Sequence, residues 1–167
     1  MVITYLRVFV LFSITTLIAI PVYAVSAHNM FIITLSILSY AKWNTPTPAL
    51  CVIDNPNYAV QFNQALRLHG YHYKISSIRL NELEKSSCNA IFLSTFSPQE
   101  EQKIIYSQRP DPPLSFSSSN QDCEMGSAFC LYTQNSKTSF KVNLDSLSQS
   151  KVRVDPRVLL LAKSTEQ

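Results

Sequence analysis

Glycine occurs only twice in the 167 residues, at Gly70 and Gly126. A chain this poor in glycine has no glycine-rich loop to wrap around a phosphate, which excludes the common nucleotide-binding motifs. Charge is sparse too. Asp, Glu, Lys and Arg make up 15% of the chain, and the net charge of +3 is not clustered. Basic residues come at most as isolated pairs such as Lys151 and Arg153. A nucleic-acid surface needs a basic stripe with interleaved aromatics, so no nucleic-acid partner is expected. The four cysteines include no C-x-x-C pair, which argues against both a zinc site and a thiol-oxidoreductase motif. His69 and His72 flank a helix-breaking Gly70, and no third ligand lies near them in sequence. Gly126-Ser127 lacks the second flanking glycine of a nucleophile elbow, and no base-and-orienter arrangement accompanies it. The expectation is a protein with no catalytic residues, no metal and no cofactor.

What the chain does have begins with a targeting segment. Arg7 supplies a basic start, and residues 8–20 form an uncharged apolar or hydroxyl run. Val22-Tyr23-Ala24 and Val25-Ser26-Ala27 put small residues where a signal peptidase needs them. A signal peptide over 1–27 is predicted, cleaved after Ala24 or Ala27, leaving 28–167 as one domain. The second apolar run, 30–41, is too short to span a bilayer and reads as a buried helix. The apolar content of 46% over this length is enough for one domain with its own core.

Cleavage would leave all four cysteines, Cys51, Cys88, Cys123 and Cys130. An even count after a secretory signal points to disulfides. Four cysteines allow three pairings, and the residues alone do not choose among them. Asp122 and Glu124 flank Cys123, and negative neighbours oppose thiolate formation, which favours a structural bridge over a reactive nucleophile.

The order of elements suggests an α/β domain. The run 49–53 is apolar on both alternations, as a strand buried on both faces requires. Asn55-Pro56 then starts a helix, with Asn as cap and Pro at the first position, and Gly70 stops it. Residues 71–78 alternate as a half-buried strand, a candidate sheet edge. A short helix over 80–85, a strand over 90–93 and a helix opened by the capping box Ser97-Pro98-Gln99-Glu100 follow. Glu100 and Glu101 are adjacent on that helix, point apart, and read as solvated. A third parallel strand is expected over 114–117. Such alternation predicts a largely parallel sheet flanked by helices with right-handed crossovers. Two β-like runs, 129–133 and 139–144, read as a C-terminal hairpin with a loop longer than the tightest type. Terminal helices complete the single compact domain, the last one starting at Asp155-Pro156. Its apolar run from Val158 to Ala162 reads as core, with a partner surface as the rival reading.

Several motifs fall in one order. They are Tyr40-Ala41-Lys42-Trp43, then Leu50-Cys51-Val52, then Cys88-Asn89 entering an apolar run. Next come Gly126-Ser127-Ala128-Phe129-Cys130 with Cys123 ahead of it, then Phe140-Lys141-Val142-Asn143-Leu144-Asp145, then 156–162. Taken together they resemble the YfiR family, HmsC in some enterobacteria: periplasmic repressors of a membrane diguanylate cyclase. The resemblance covers most of the mature chain. It implies the pairings Cys51–Cys88 and Cys123–Cys130. It implies a periplasmic regulator that binds the periplasmic domain of an inner-membrane (YfiN-like) cyclase, lowering cyclic di-GMP and biofilm or exopolysaccharide output. It further implies release by an outer-membrane (YfiB-like) lipoprotein or by disturbance of the disulfides, and a homodimer. The family motif makes the C-terminal region the expected partner surface, with Phe129, Lys141 and Leu147 as contacts. A cyclic-dinucleotide site on this chain is not supported, since no phosphate loop exists. Two other classes stand beside this reading: a periplasmic thiol oxidoreductase, and a small-ligand module with Tyr40 and Trp43 lining a pocket.

Overall fold

The computed structural model describes residues 29–150 and 152–163. The expected signal peptide lies outside the described residues. The described residues open with helix α1 (Met30–Ser39), whose buried residues include Ile32, Thr34, Leu35, Ile37 and Leu38. Asn29 caps it by accepting from the Ile32 N–H at 3.0 Å. The Trp43 indole N–H donates to the Leu38 carbonyl at 3.0 Å, satisfying an acceptor that the helix end leaves open. A helix this apolar all round belongs inside a protein or a membrane. Here it is packed into the core, and among the described residues no helix is long and apolar enough to cross a bilayer.

Next come β1 (Ala41–Lys42), β2 (Ala49–Ile53), α2 (Pro56–His69), β3 (Lys74–Ile78) and a 3₁₀ turn (Leu80–Lys85). They are followed by β4 (Ala90–Leu93), α3 (Pro98–Ser107) and β5 (Leu114–Ser117). The hairpin strands β6 (Phe129–Gln134) and β7 (Lys137–Val142) lead to α4 (Leu144–Gln149) and β8 (Arg153–Val154). A 3₁₀ turn (Pro156–Val158) and α5 (Leu159–Lys163) complete the described chain. The main sheet has the order β3-β2-β4-β5-β6-β7. Every neighbouring pair is parallel except the β6–β7 hairpin. This is the α/β architecture the sequence predicts, with β3 at one edge.

Alternation along the strands sorts the core into two layers. Leu50, Val52, Ala90, Phe92, Leu114, Phe116, Phe129 and Leu131 pack with α1 and α2. Cys51, Ile53, Ile91 and Leu93 point the other way, onto Leu83 of the 3₁₀ turn and Ile104 and Ile105 of α3. At the carboxyl ends of β2 and β4, where the strand order reverses, the Asn55 side-chain N–H donates to the Ser94 hydroxyl at 2.9 Å. Doubly wound folds place ligands in that crevice; here a hydrogen bond ties its two sides together.

Three local expectations are revised. The hairpin loop is the tight two-residue kind, because Gln134 pairs with Lys137. Asn135 and Ser136 both take positive φ, 51° and 62°, as a type I′ turn requires. The second strand accordingly begins at Lys137 and ends at Val142, where Asn143 leaves the ladder to cap α4 through the Ser146 N–H at 3.0 Å. The edge strand begins at Lys74, not Tyr71. Tyr71 instead meets the Ser36 hydroxyl at 3.1 Å and stacks on Tyr73. The sequence reading also missed a second, two-stranded sheet. In it Ala41 faces Val154 and Lys42 faces Arg153, antiparallel, extended by the Asp155 N–H donating to the Tyr40 carbonyl at 2.9 Å.

The aromatic group at the sheet edge has a titration signature. Burial first, and the neighbouring Tyr71 second, push the Tyr73 phenol up to about 12, against a lowering hydrogen bond with Trp43. The folded state therefore favours the neutral phenol. Its contribution to stability is whole below the ordinary tyrosine value of about 10 and is lost as pH rises towards 12. An ultraviolet phenolate titration of wild type against Tyr73→Phe should show one late-titrating phenol missing from the variant. Identical curves would contradict the assignment.

Candidate functional site

The parallel strands β5 and β6 are joined without a helix, by a loop that must turn back over the sheet within residues 118–128. Two residues in it take positive φ, Cys123 at 61° and Gly126 at 85°. Cys123 bridges to Cys130 on β6 with a Cα separation of 5.7 Å. The second bridge joins Cys51 on β2 to Cys88 ahead of β4, at 5.8 Å. These are the pairings that the resemblance implied. In the loop bridge both sulfur residues are buried, with Cys123 5% exposed and Cys130 0%. Burial shields them from an external thiol.

The loop lies on a buried carboxylate. Glu101, in the first turn of α3, is fully buried, contrary to the solvated placement its sequence suggests. Its Oε2 accepts from the Ser127 N–H and from the Asn120 side-chain N–H, both at 3.1 Å. Asn120 is itself a hub. Its Nδ2 donates to the Met125 carbonyl at 2.7 Å, and its Oδ1 accepts from the Cys123 N–H at 3.0 Å. The Gly126 N–H donates to Gln102 Oε1 at 3.0 Å, and the Gly126 carbonyl accepts from the Ser146 hydroxyl of α4 at 2.6 Å. Glu101 Oε1 and the Ser127 hydroxyl are buried with no partner among the described residues. The neighbouring Glu100 behaves as expected of a capping-box acid. The Ser97 N–H and hydroxyl donate to it at 2.8 Å and hold its carboxyl below the ordinary glutamate range.

Gly126 is needed for two reasons. Its φ of 85° is strained for any L side chain, and a Cβ there would stand 2.6 Å from Glu101 Oε2 and 3.0 Å from the Pro98 carbonyl. The lone glycine of this loop was the only sequence signal of so close an approach.

The three expected contact residues fall in different environments. Phe129 is 0% exposed, stacked on Phe116 at 5.4 Å and edge-on to Phe140 at 5.8 Å. A partner docking on this fold meets its neighbours rather than its ring. Lys141 is exposed, sits opposite Cys130 in the hairpin register, and places its ammonium 5.9 Å from the Tyr132 ring. Its carbonyl lies 3.6 Å from the Cys123 sulfur, so the bridge and Lys141 are adjacent. Together with Gln121, Asp122, Tyr132, Thr133 and Gln134 it lines an open cleft of about 450 Å³. Leu147 is half-buried and packs on the main core. On the same helix Leu144 is 70% exposed, and Met125 at the tip of the bridged loop is 42% exposed. Sequence reasoning named neither as a contact. The terminal apolar run divides: Val158 is buried, while Leu159 and Leu160 are 48% and 60% exposed.

Trp43 helps line a separate hollow of about 400 Å³ with Lys42, Cys88, Asn89, Pro112 and Val152, and Tyr40 is not among its walls. Residues 30–163 match a family model described as YfiR/HmsC-like.

Proposed function

The chain belongs to the YfiR/HmsC-like family, and on that premise we propose that it is an exported regulator that holds a membrane diguanylate cyclase inactive. The family match over 30–163 is the observation that carries this reading. The two disulfides agree with an oxidising compartment such as the periplasm. Repression acts by differential binding: the regulator must prefer the inactive form of the cyclase, because a ligand with equal affinity for both forms shifts nothing. An outer-membrane lipoprotein that sequesters the regulator would reverse the effect by mass action, and a homodimer is the working assembly.

On this reading the partner surface is the C-terminal hairpin and the helix after it. Lys141 and Leu147 remain its expected contacts. Exposed Leu144 is the additional residue the geometry supplies, since it presents apolar area that the fold does not use. Phe129 supports that surface from below.

The test is binding of the mature protein to the periplasmic domain of the cognate cyclase. Lys141→Glu and Leu144→Asp should each leave the melting temperature within about 2 °C of wild type, as surface changes do. Each should weaken binding by about tenfold or more, and should raise cellular cyclic di-GMP. Wild-type binding with no effect of either change would move the partner surface elsewhere. Failure to retain any cyclase from native membranes would sink the function itself.

A further inference from the structure

We propose that Glu101 is the residue that positions the 120–127 loop, and that this loop keeps its shape when the Cys123–Cys130 bridge is open. The loop's role at a partner surface rests on the functional reading above; its mode of closure does not. A fully buried acid on a helix is costly unless its oxygens are used. Glu101 has no ion pair among the described residues; its Oε2 is held by the loop alone, and its Oε1 is buried without a partner, so the loop is all that offsets the cost of burying it.

The hold is distributed. Glu101 fixes Ser127 directly and Asn120 through its side chain, and Asn120 in turn fixes Cys123 and Met125. Gln102 fixes Gly126 from the same helix. Backbone groups at four loop positions, Cys123, Met125, Gly126 and Ser127, are thus tied down without any use of sulfur. The bridge constrains one of these four, Cys123, and ties it to a strand already held in the sheet. Hydrogen bonds in a dry site are stronger than in water, and in a network they cooperate. Opening the bridge therefore removes one constraint of several. Removing the carboxylate removes the hub.

Limited proteolysis reads this without reference to any partner. Glu124 is exposed at the loop tip, and a glutamyl endopeptidase cuts after it only when the loop opens locally. The mature protein, the Cys123→Ala/Cys130→Ala variant, Glu101→Ala and Glu101→Gln are compared by mass after reduction. The bridge-less variant should be cut at Glu124 within about threefold of the wild-type rate, and Glu101→Ala about tenfold faster or more. Glu101→Gln keeps a carbonyl oxygen for both donors and should stay within about threefold of wild type, a rescue that mere loss of packing would not give. Should Glu101→Ala fail to fold, Asn120→Ala removes the relay and should give the same acceleration. The proposal is overturned if the bridge-less variant is cut as fast as Glu101→Ala, or if neither Glu101→Ala nor Asn120→Ala is cut faster than wild type. A loop that behaves as proposed in a protein that binds no cyclase would sink the functional reading alone.

Discussion

Phe129→Ala should destabilise the domain by about 3–5 kcal/mol, the range for truncating a buried phenylalanine. The ring has no exposed surface and is held on two sides by Phe116 and Phe140. Both neighbours belong to strands of the same sheet, so the backbone cannot close over the cavity without disturbing the ladder. A domain of this class has about 5–15 kcal/mol in hand, so the loss takes a large part of it. The melting temperature should fall by about 10–20 °C. The measurement matters for function because Phe129→Ala will also repress poorly, and for a reason unrelated to contact. Phe129→Leu resolves the ambiguity. It keeps most of the volume and should preserve repression at a modest cost in melting. Lost repression with unchanged melting would place the ring at an interface and contradict its burial.

Removal of the Cys51–Cys88 bridge is the second large effect. Its sequence separation is 37, against 7 for Cys123–Cys130. Constraint of the unfolded chain scales with the logarithm of that separation, giving about 4 kcal/mol for the long loop and about 2.5 kcal/mol for the short one. Cys51 is 4% exposed and packs among Ile53, Leu83 and Ile91. A serine there would add a buried hydroxyl, so Cys51→Ala with Cys88→Ser is the cleaner pair. Denaturant melts of this variant and of Cys123→Ala/Cys130→Ala, which likewise avoids a buried hydroxyl, should differ in midpoint in that order. Equal losses would mean that residual structure in the unfolded chain, rather than loop length, sets the value.

The sequence reveals most where a local rule decides the outcome. Asn55 and Ser97 cap their helices as read, and Gly70 ends α2 with a positive φ of 68°. The buried strands β2, β4 and β5 are visible because both faces of each are covered. Where a distant segment supplies the partner, the sequence is mute. Glu101 looks like its exposed neighbour Glu100, since only the N–H groups of a loop some twenty positions later make its burial tolerable. Leu147 and Leu144 lie one turn apart on a short helix, and which of them packs depends on how α4 leaves the hairpin. The tight turn escaped because Asn135-Ser136 lacks the glycine that usually marks it, though both residue types are small and polar enough to accept the conformation. A two-residue strand such as β1 or β8 carries no periodicity at all.

That small second sheet has a mechanical meaning. It ties the residues that follow α1 to those that precede the last 3₁₀ turn and α5. Because its strands are antiparallel and their outer ends lie together, tension that has first drawn α1 and α5 away peels the pair one bond at a time. The six-stranded sheet is not sheared until the peeling is done. The clasp is thus a weak link in series with a strong one, reached only after the terminal helices have come away.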